Sequence, residues 1–510
     1  MNLLKQLALQ SPNAWGNTSV LEGWIAPSAA APVAAERLPA VAQRLVECGA
    51  PYFSLAEFPL PAAPGGSADF ALATWLAHLA RKIQGLAGAD MPAGLVLESA
   101  DGTLCRAAIV FEDEGLARPA LALAYQLLTS AIAGTSIDFA PRLAELQALA
   151  NELCLGPSTR AIVSAARARG IPVRRLNEEA SFVQFGQGAR QRRICTAETD
   201  GTGAIAESIA QDKELTKSLL SRAGVPVPKG RAAENAEDAW QAACEVGLPV
   251  VVKPRDANHG RGVAIKLSLP ERIMAAYDVA AAEGTGVLVE QFVVGTMHRV
   301  LVVDKQAVAV SRGQPEEVVG DGVHTISQLV GLVNEDPRRG DEYALPFCRL
   351  KIDRIARLLL EHQGYETTSV PEPGVTVVIR RNGEYTTDVT DQLHPEVAAR
   401  AVMAARVVGL DVAGIDIVAS DISRPLEEQG GMVIEVNAGP GLQMHSEPQV
   451  GRARPVGAAI VETLFPDGHT GRIPVVAVTA GRGSTLAAQA AAHLVRGSGQ
   501  SVGLACAAGT

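Results

Sequence analysis

VVKPRDANHGRGVAI, residues 251–265, reads as an apolar strand that delivers Lys253 and Pro254 to its end, followed by a loop carrying His259, Gly260, Arg261 and Gly262. A strand fixes the place of its lysine, and small residues let backbone N–H groups close over an anion with no Cβ in the way. The pattern is that of a phosphate grip. Glycine turns between strands are common and need bind nothing, so the neighbours of this stretch decide its meaning.

Upstream, SIAQDKELTKSLLSRAGVPVP places Lys213 at the opening of an amphipathic helix predicted to close at Gly224 and Pro226. Downstream, VLVEQFVVG reads as a strand running into Glu290, and GIDIVA and MVIEVNAGPG supply Asp416, Glu435 and Asn437. Residues two apart on a strand project from one face, so Glu435 and Asn437 present their oxygens to one point. Hard oxygen donors of this kind suit Mg2+, which completes its octahedron with phosphate oxygens and water. Two lysines, a glycine flap and an oxygen-ligand strand, in this order, predict a nucleotide–magnesium site.

At 510 residues and 47% hydrophobic, the chain can bury several cores, and its length suggests about three domains. A net charge of -10 argues against a nucleic-acid surface, since phosphate backbones demand a basic face. The 7 cysteines are scattered without metal-ligand spacing and read as reduced thiols, mostly core. MNLLKQLALQSPNAWG lacks the apolar stretch of a signal peptide, and no later stretch reads as a membrane span, so the expected compartment is the cytoplasm.

Stretches 26–35 and 59–67 are loop-like breaks in an N-terminal region that also holds helical patterns. FALATWLAHLARKIQGLAG sets Trp75, Leu76, Leu79, Ile83 and Leu86 on one stripe, with His78 beside it and expected to pack or hydrogen-bond. A new pattern of turn, helix and strand starts at LGPSTRAIVSAARARGIPVRRLN. Ser158 and Thr159 stand there as N-caps, and the same helix N-terminus offers N–H donors to a carboxylate.

The order and wording of SIAQDKELTK, VVKPRDANHGRG, MHRVLVV, VVGDGVHTI, NEDPRRGD, LKID, DVTDQLHPE and EVNAGPGLQMH resemble the cyanophycin synthetase family of the ATP-grasp superfamily, closely over residues 150–510 and more loosely before. The resemblance implies a mixed α/β (α+β) fold. Residues 1–152 would be a small N-terminal domain for scaffolding or polymer contact, 153–470 an ATP-grasp body of two α+β subdomains, and 471–510 a C-terminal αβ stub. It also implies an ATP- and Mg2+-dependent ligase that activates a chain carboxylate as an acyl phosphate, then adds aspartate or an aspartate–arginine dipeptide. Within that scheme Lys213 and Lys253 neutralise phosphate charge, Asp416, Glu435 and Asn437 hold Mg2+, and Glu290 lies at a hinge whose backbone reads adenine. Arg299 is the transition-state cation, and His259 closes on the phosphates with Gly260 and Gly262 or takes a proton from the amine. Glu207 orients that amine and Ser158 touches the polymer. The plainer readings are a strand salt bridge for Arg299, a solvated loop histidine for His259, a surface acid for Glu207 and a cap for Ser158.

Two departures from the family stand out. Only GEYTT separates Asn382 from Asp388, where the family carries a Ser-Thr-Gly-Gly loop on its acceptor side. GRIPVVAVTAGRGSTLAAQAAAHLV looks like the strand, P-loop and helix that open a Mur-ligase-type domain, but Ala480 to Thr485 lack the phosphate-binding lysine, so no arginine-adding activity is expected. Arg338, Arg339, Arg452 and Arg454 are loop arginines offered as attractors of an acidic tail. The expected partners are an amino acid, a polymer and further copies of the chain or a full-length synthetase. A different acceptor, or a non-catalytic ATP- or polymer-binding role, stays open at this stage.

Overall fold

A computed structural model describes residues 2–10, 13–16, 18–26, 33–60, 68–89, 95–98, 104–177, 181–256, 262–336, 339–340, 347–479 and 483–506. The chain divides into two compact units, Met1–Leu155 and Gly156–Thr510.

The first unit runs β1 (Asn2–Leu9), β2 (Val20–Ala26), α1 (Leu38–Cys48), α2 (Ala68–Ala87), β3 (Leu95–Glu98), β4 (Cys105–Val110), α3 (Glu114–Ala133) and α4 (Phe139–Leu153). Its strands form an antiparallel sheet in the order β1-β2-β4-β3. Trp75, Leu76, Leu79 and Ile83 are fully buried along α2, and Leu86 packs against the same core. This is the stripe expected of a helix with a core face. His78 bonds Glu57 at 3.0 Å and meets the Phe58 ring edge-on, a structural role. One expectation is corrected here: α3 is long and apolar enough to cross a membrane. Half of its most apolar window is buried, and Leu116, Leu121 and Leu128 sit fully inside the core between the other helices.

The second unit opens with α5 (Pro157–Ala168) and a meander of β5 (Val173–Arg175), β6 (Phe182–Phe185), β7 (Arg192–Cys195) and β8 (Glu198–Thr199), followed by α6 (Ala204–Gln211) and α7 (Lys213–Arg222). Next come β9 (Gly230–Ala233), α8 (Ala236–Val246), β10 (Val250–Pro254), β11 (Ala264–Leu267), α9 (Pro270–Ala281) and β12 (Val287–Gln291). These strands make an antiparallel sheet ordered β11-β10-β12-β9. Val250, Val252, Val287 and Val289 pack against α8 and α9. The two-residue period of a strand then turns Lys253 and Glu290 to the opposite face.

The larger sheet follows: β13 (Thr296–Val303), β14 (Gln306–Val319), α10 (Ile326–Val333), a short parallel pair β15 (Arg339–Gly340) and β16 (Phe347–Cys348), α11 (Arg354–His362), β17 (Thr376–Asp388), α12 (Pro395–Val408), β18 (Val412–Ala419), α13 (Leu426–Gln429) and β19 (Met432–Ala438). Its order is β17-β14-β13-β18-β19, antiparallel throughout. Val300, Val302, Ile415 and Ile417 bury one face against residues of α6, α7 and α12 such as Ala206, Leu220, Val397 and Ala405. The other face carries Arg299 and Asp416 beside the fully buried Leu301. The shortened GEYTT segment is strand: the ladder passes from Arg380↔Glu316 to Tyr385↔Gln314, so residues 381–384 span Pro315 alone.

After α14 (Gln443–Ser446) and α15 (Val456–Leu464), the chain reaches α16 (Ser484–Gly497). The strand expected before α16 is absent: residues 474–479 have no ladder partner, and Val475 and Val476 are 77% and 80% exposed. A strand forms only where its N–H and C=O groups find a neighbour. The segment is tied down at its start, by Arg190 donating to the Arg472 carbonyl at 2.9 Å, Arg472 donating to the Gly170 carbonyl at 3.1 Å and the Ile473 N–H donating to Gln187 Oε1 at 3.3 Å. Ala480, Gly481 and Arg482 lie outside the described residues. The cysteines differ from expectation too: of the six free thiols among the described residues only Cys105 is buried, while Cys195 and Cys244 are exposed.

Helix α15 packs on α5 because Gly457 lacks a Cβ: one added there would stand 2.3 Å from the Ala161 carbonyl oxygen. Gly457→Ala is expected to cost about 1–3 kcal/mol through overpacking. Thermal unfolding checks this, and an unchanged midpoint would contradict the close helix contact.

Candidate functional site

Glu290 is 5% exposed and accepts from two lysines, Lys253 at 2.9 Å and Lys217 in a still shorter contact. Lys217 was not singled out from the sequence. It lies one helical turn after Lys213 on α7, and two lysines at i, i+4 share a helix face. That spacing was the available signal. Lys253 is thus grouped with Lys217, and the Glu290 side chain bonds both.

Helix α7 begins where it does because the Asp212 carboxylate accepts from the N–H groups of Glu214 and Leu215, both at 3.1 Å. Arg255, just beyond β10, donates to the same carboxylate at 3.0 Å. The helix thereby reaches both sheets. Lys217 meets Glu290 of the smaller one, and Lys213 lies 3.4 Å from Glu435 of the larger.

Burial and the charge of Lys253 push the Lys217 ammonium down to about 7, with Glu290 offsetting part of the fall. Burial also opposes charge on Lys253, but Glu290 outweighs it and holds that pKa above its ordinary value. The Glu290 carboxyl is raised by burial and lowered more strongly by Lys253 and Lys217, so it stays ionised. One carboxylate cannot fully satisfy two buried ammonium groups. The cluster is therefore short of negative charge, which a phosphate would supply.

On the larger sheet, cross-strand register places Glu435, Asp416, Arg299, Ser311 and Asp388 in one row across β19, β18, β13, β14 and β17. Directly opposed residues share a face. Arg299 holds Asp416 as a fork, Nη2 to Oδ2 at 3.0 Å and Nε in a shorter contact with Oδ1. Burial works against the Arg299 charge, yet Asp416 and Glu435 hold its pKa above the ordinary value. Asn437 donates to Asp416 Oδ2 at 3.2 Å and to the Gly414 carbonyl at 3.3 Å. At the far end of the row, Arg454 grips Asp388 at 2.7 and 3.0 Å and reaches Asp391.

Asp416, Glu435 and Asn437 thus share one face as expected, and their oxygens fit a hard divalent cation that takes its remaining ligands from phosphate and water. Among the described residues no group of three or more His, Cys, Asp or Glu side chains is arranged as a metal site. The third donor here is an amide, and Asp416 is engaged by Arg299.

Several expected positions are corrected. Helix α5 starts at Pro157 with Gly156 as N-cap and no side-chain cap, so neither Ser158 nor Thr159 caps it. Ser158 Oγ accepts from the Leu442 N–H at 2.9 Å, joining α5 to the loop after β19, and Thr159 donates to the Thr196 carbonyl at 3.2 Å. Glu207 lies half-buried in the first turn of α6 and accepts from Gln211 at 3.2 Å. Burial, then Glu207 and Asp411, push the nearby Glu198 carboxyl up. Gly262 adopts φ 67°, a left-handed conformation that favours glycine, and a Cβ there would lie 2.9 Å from Pro254. His259, Gly260, Arg261 and Arg338 lie outside the described residues. Arg339 is buried with its Nη1 3.4 Å from Glu316, and Arg454 is committed to Asp388 and Asp391, so neither is a loop arginine awaiting an acidic tail. Arg452 is the exposed one.

Residues 212–320 match the family model of the ATP-binding domain of the carbamoyl-phosphate synthase L chain. The chain is 38% identical over 442 residues to cyanophycin synthetase of Trichormus variabilis, an alignment covering 85% of this chain and 49% of the relative. The glutathione biosynthesis bifunctional protein of Clostridium perfringens is 29% identical over 320 residues, 60% of this chain and 41% of that one. Among solved structures, the bifunctional glutathione synthetase from Pasteurella multocida is 27% identical with a TM-score of 0.48, covering 68% of this chain and 49% of that chain. The chain spans about half the length of the cyanophycin synthetases it matches.

The lysine cluster carries its own tests. Lys217 titrates near 7 when folded against an ordinary 10.5, so between those values the unfolded chain binds more protons and this group makes stability rise with pH. Unfolding free energy measured from pH 7 to about 9 should rise less steeply in Lys217→Met, and identical slopes would contradict the burial of Lys217 beside Lys253. Glu290→Gln leaves two buried cations without their carboxylate and should cost about 3–5 kcal/mol in denaturant unfolding.

Proposed function

We propose that this chain, which belongs to the ATP-grasp superfamily and is a homologue of the cyanophycin synthetases, is an ATP- and Mg2+-dependent carboxylate–amine ligase. In this reading it lengthens a cyanophycin-type backbone by aspartate or by an aspartate–arginine dipeptide. The observation that carries the proposal is helix α7, which sets one lysine on the Glu290 cluster and another on the oxygen-bearing row of the larger sheet. A triphosphate bridging two such sheets would meet lysines at one end and oxygen ligands at the other.

Lys217 and Lys253 bind phosphate oxygens, and the anion lets both keep their protons. Asp416, Glu435 and Asn437 are the residues to hold Mg2+, which when bound supplies charge neutralisation on the phosphates. Arg299, fixed on Asp416, keeps its charge and directs remaining N–H donors toward the transferring phosphoryl group. The γ-phosphoryl group passes to a substrate carboxylate oxygen with release of ADP. The amine then adds to the acyl carbon, loses a proton and expels inorganic phosphate. Glu207 orients that amine, His259 is the flap residue placed to take its proton, and Ser158 ties the α5 end to the loop that follows β19.

The proposed division is a ligase body at 153–470, an N-terminal domain at 1–152 and a stub at 471–510 without arginine-adding activity, since Ala480 to Thr485 lack the phosphate-binding lysine. The cytoplasm, where ATP and aspartate are at hand, is the proposed setting. A ligase acting on a different acceptor is the second reading, favoured by β17 running on as strand through residues 381–384.

Phosphate release from MgATP tests the proposal, with a poly-aspartate or cyanophycin primer and either aspartate or aspartate–arginine dipeptide, against a control without primer. Primer-dependent release with growth in product mass is expected. Lys253→Ala should lower the rate by about a hundredfold or more, and Arg299→Lys, which keeps charge but loses the fork, should also fall well below wild type. Full turnover by Lys253→Ala, or no release with any pairing despite nucleotide binding, would contradict the assignment.

A further inference from the structure

Two buried polar atoms, one in the charged row and one on a helix packed against its strands, have no use in the site described so far. Ser311 stands between Arg299 and Asp388 in the cross-strand register and is 2% exposed, yet its Oγ has no hydrogen-bond partner among the described residues. His445, also 2% exposed, lies on α14, which packs against β14 and β17, and its Nε2 likewise has none. Its backbone carbonyl accepts from the Arg454 N–H at 2.8 Å, while the Arg454 side chain holds Asp388. His445 therefore sits over the same stretch of the row as Ser311.

Buried polar groups are nearly always paired, because one left without a partner keeps the full cost of desolvation. Two in one place, beside a guanidinium that still has donors to offer, are groups that a ligand oxygen would satisfy. Burial, then the charge of Arg299, pushes the His445 imidazole down to about 3, with Asp388 pulling weakly the other way. Burial thus favours the neutral ring, whose Nε2 donates in the tautomer that carries its proton there. Asp388 is answered by Arg454, and Arg299, held by Asp416 through Nε and Nη2, has guanidinium donors left on this side of the row. Three donors, a hydroxyl, an imidazole N–H and a guanidinium, are suited to an oxyanion.

We infer that Ser311 and His445 form, with Arg299, a subsite for a carboxylate of the acidic substrate, at the end of the row remote from Lys213. The inference rests on the ligase reading and deepens it: the nucleotide occupies the Glu435 end, the substrate carboxylate the Ser311 end, and Arg299 stands between the two. Ser311 and His445 are positioning residues. Their removal should weaken the hold on substrate while leaving the nucleotide alone.

The test is calorimetric binding of an N-acetylated poly-aspartate primer, which offers carboxylates but no amine, to the full chain with a non-hydrolysable ATP analogue and Mg2+. Wild type should bind both. Ser311→Ala and His445→Gln should each weaken the primer by about tenfold, the scale of one lost hydrogen bond to a charged group, with analogue affinity unchanged. Because Ser311→Ala deletes a hydroxyl without a partner, its melting temperature should equal or exceed that of wild type; a lower value would show the hydroxyl bonded within the fold and overturn the subsite. Unweakened primer binding in both variants would overturn it too, as would a wild type that binds the analogue but no primer. A wild type that binds neither would sink the ligase reading itself.

Discussion

Charges buried in a low-dielectric interior must find partners, and an antiparallel sheet in fixed register supplies them from neighbouring strands. Because β19, β18, β13, β14 and β17 hold register, Glu435, Asp416, Arg299, Ser311 and Asp388 fall on one line, with the cations Lys213, Arg299 and Arg454 interposed along it. Slipping any one strand by a residue would move its member to the opposite face, among Val300, Val302, Ile415 and Ile417. The apolar face under α6, α7 and α12 therefore fixes the polar face above it. Chemistry on one side is positioned by packing on the other.

The smaller sheet applies the same constraint with an intended shortfall. Lys217 and Lys253 share the single carboxylate of Glu290, itself 5% exposed, and for want of a second carboxylate Lys217 gives up its proton more readily than a free lysine. Such an arrangement costs stability when empty, and a bound anion would recover it. Helix α7 couples the two sheets, since both of its lysines are carried on one face from a start fixed by Asp212. What the first lysine finds on the larger sheet and the second on the smaller is set by the same capped turn.

The parts legible in the sequence were the local ones. Strand β10, strand β12 and the span of α7 follow from apolar runs, glycine and proline stops and an aspartate cap, all within a few residues. The row across the larger sheet was legible only in its members, because which residue opposes Arg299 depends on strands more than a hundred residues apart, the separation of Arg299 and Asp416 being 117. Ser158 shows the same limit: its hydroxyl looks like a cap beside its own helix but reaches the N–H of Leu442, 284 residues on. Lys217 is not legible as a buried group, because a helix lysine ordinarily snorkels to water, and the approach of Glu290 from another element takes it inside. The strand expected at residues 474–479 failed for want of a ladder partner, which hydrophobic alternation cannot supply.

The central claim is that a substrate carboxylate is activated by phosphoryl transfer at this row. The most direct measurement labels both carboxylate oxygens of the accepting chain with heavy oxygen and follows the label by mass spectrometry of the inorganic phosphate released. An acyl phosphate intermediate leaves one labelled oxygen in each phosphate and removes one from the product carbonyl. Phosphate released wholly unlabelled, with product still formed, would contradict the account.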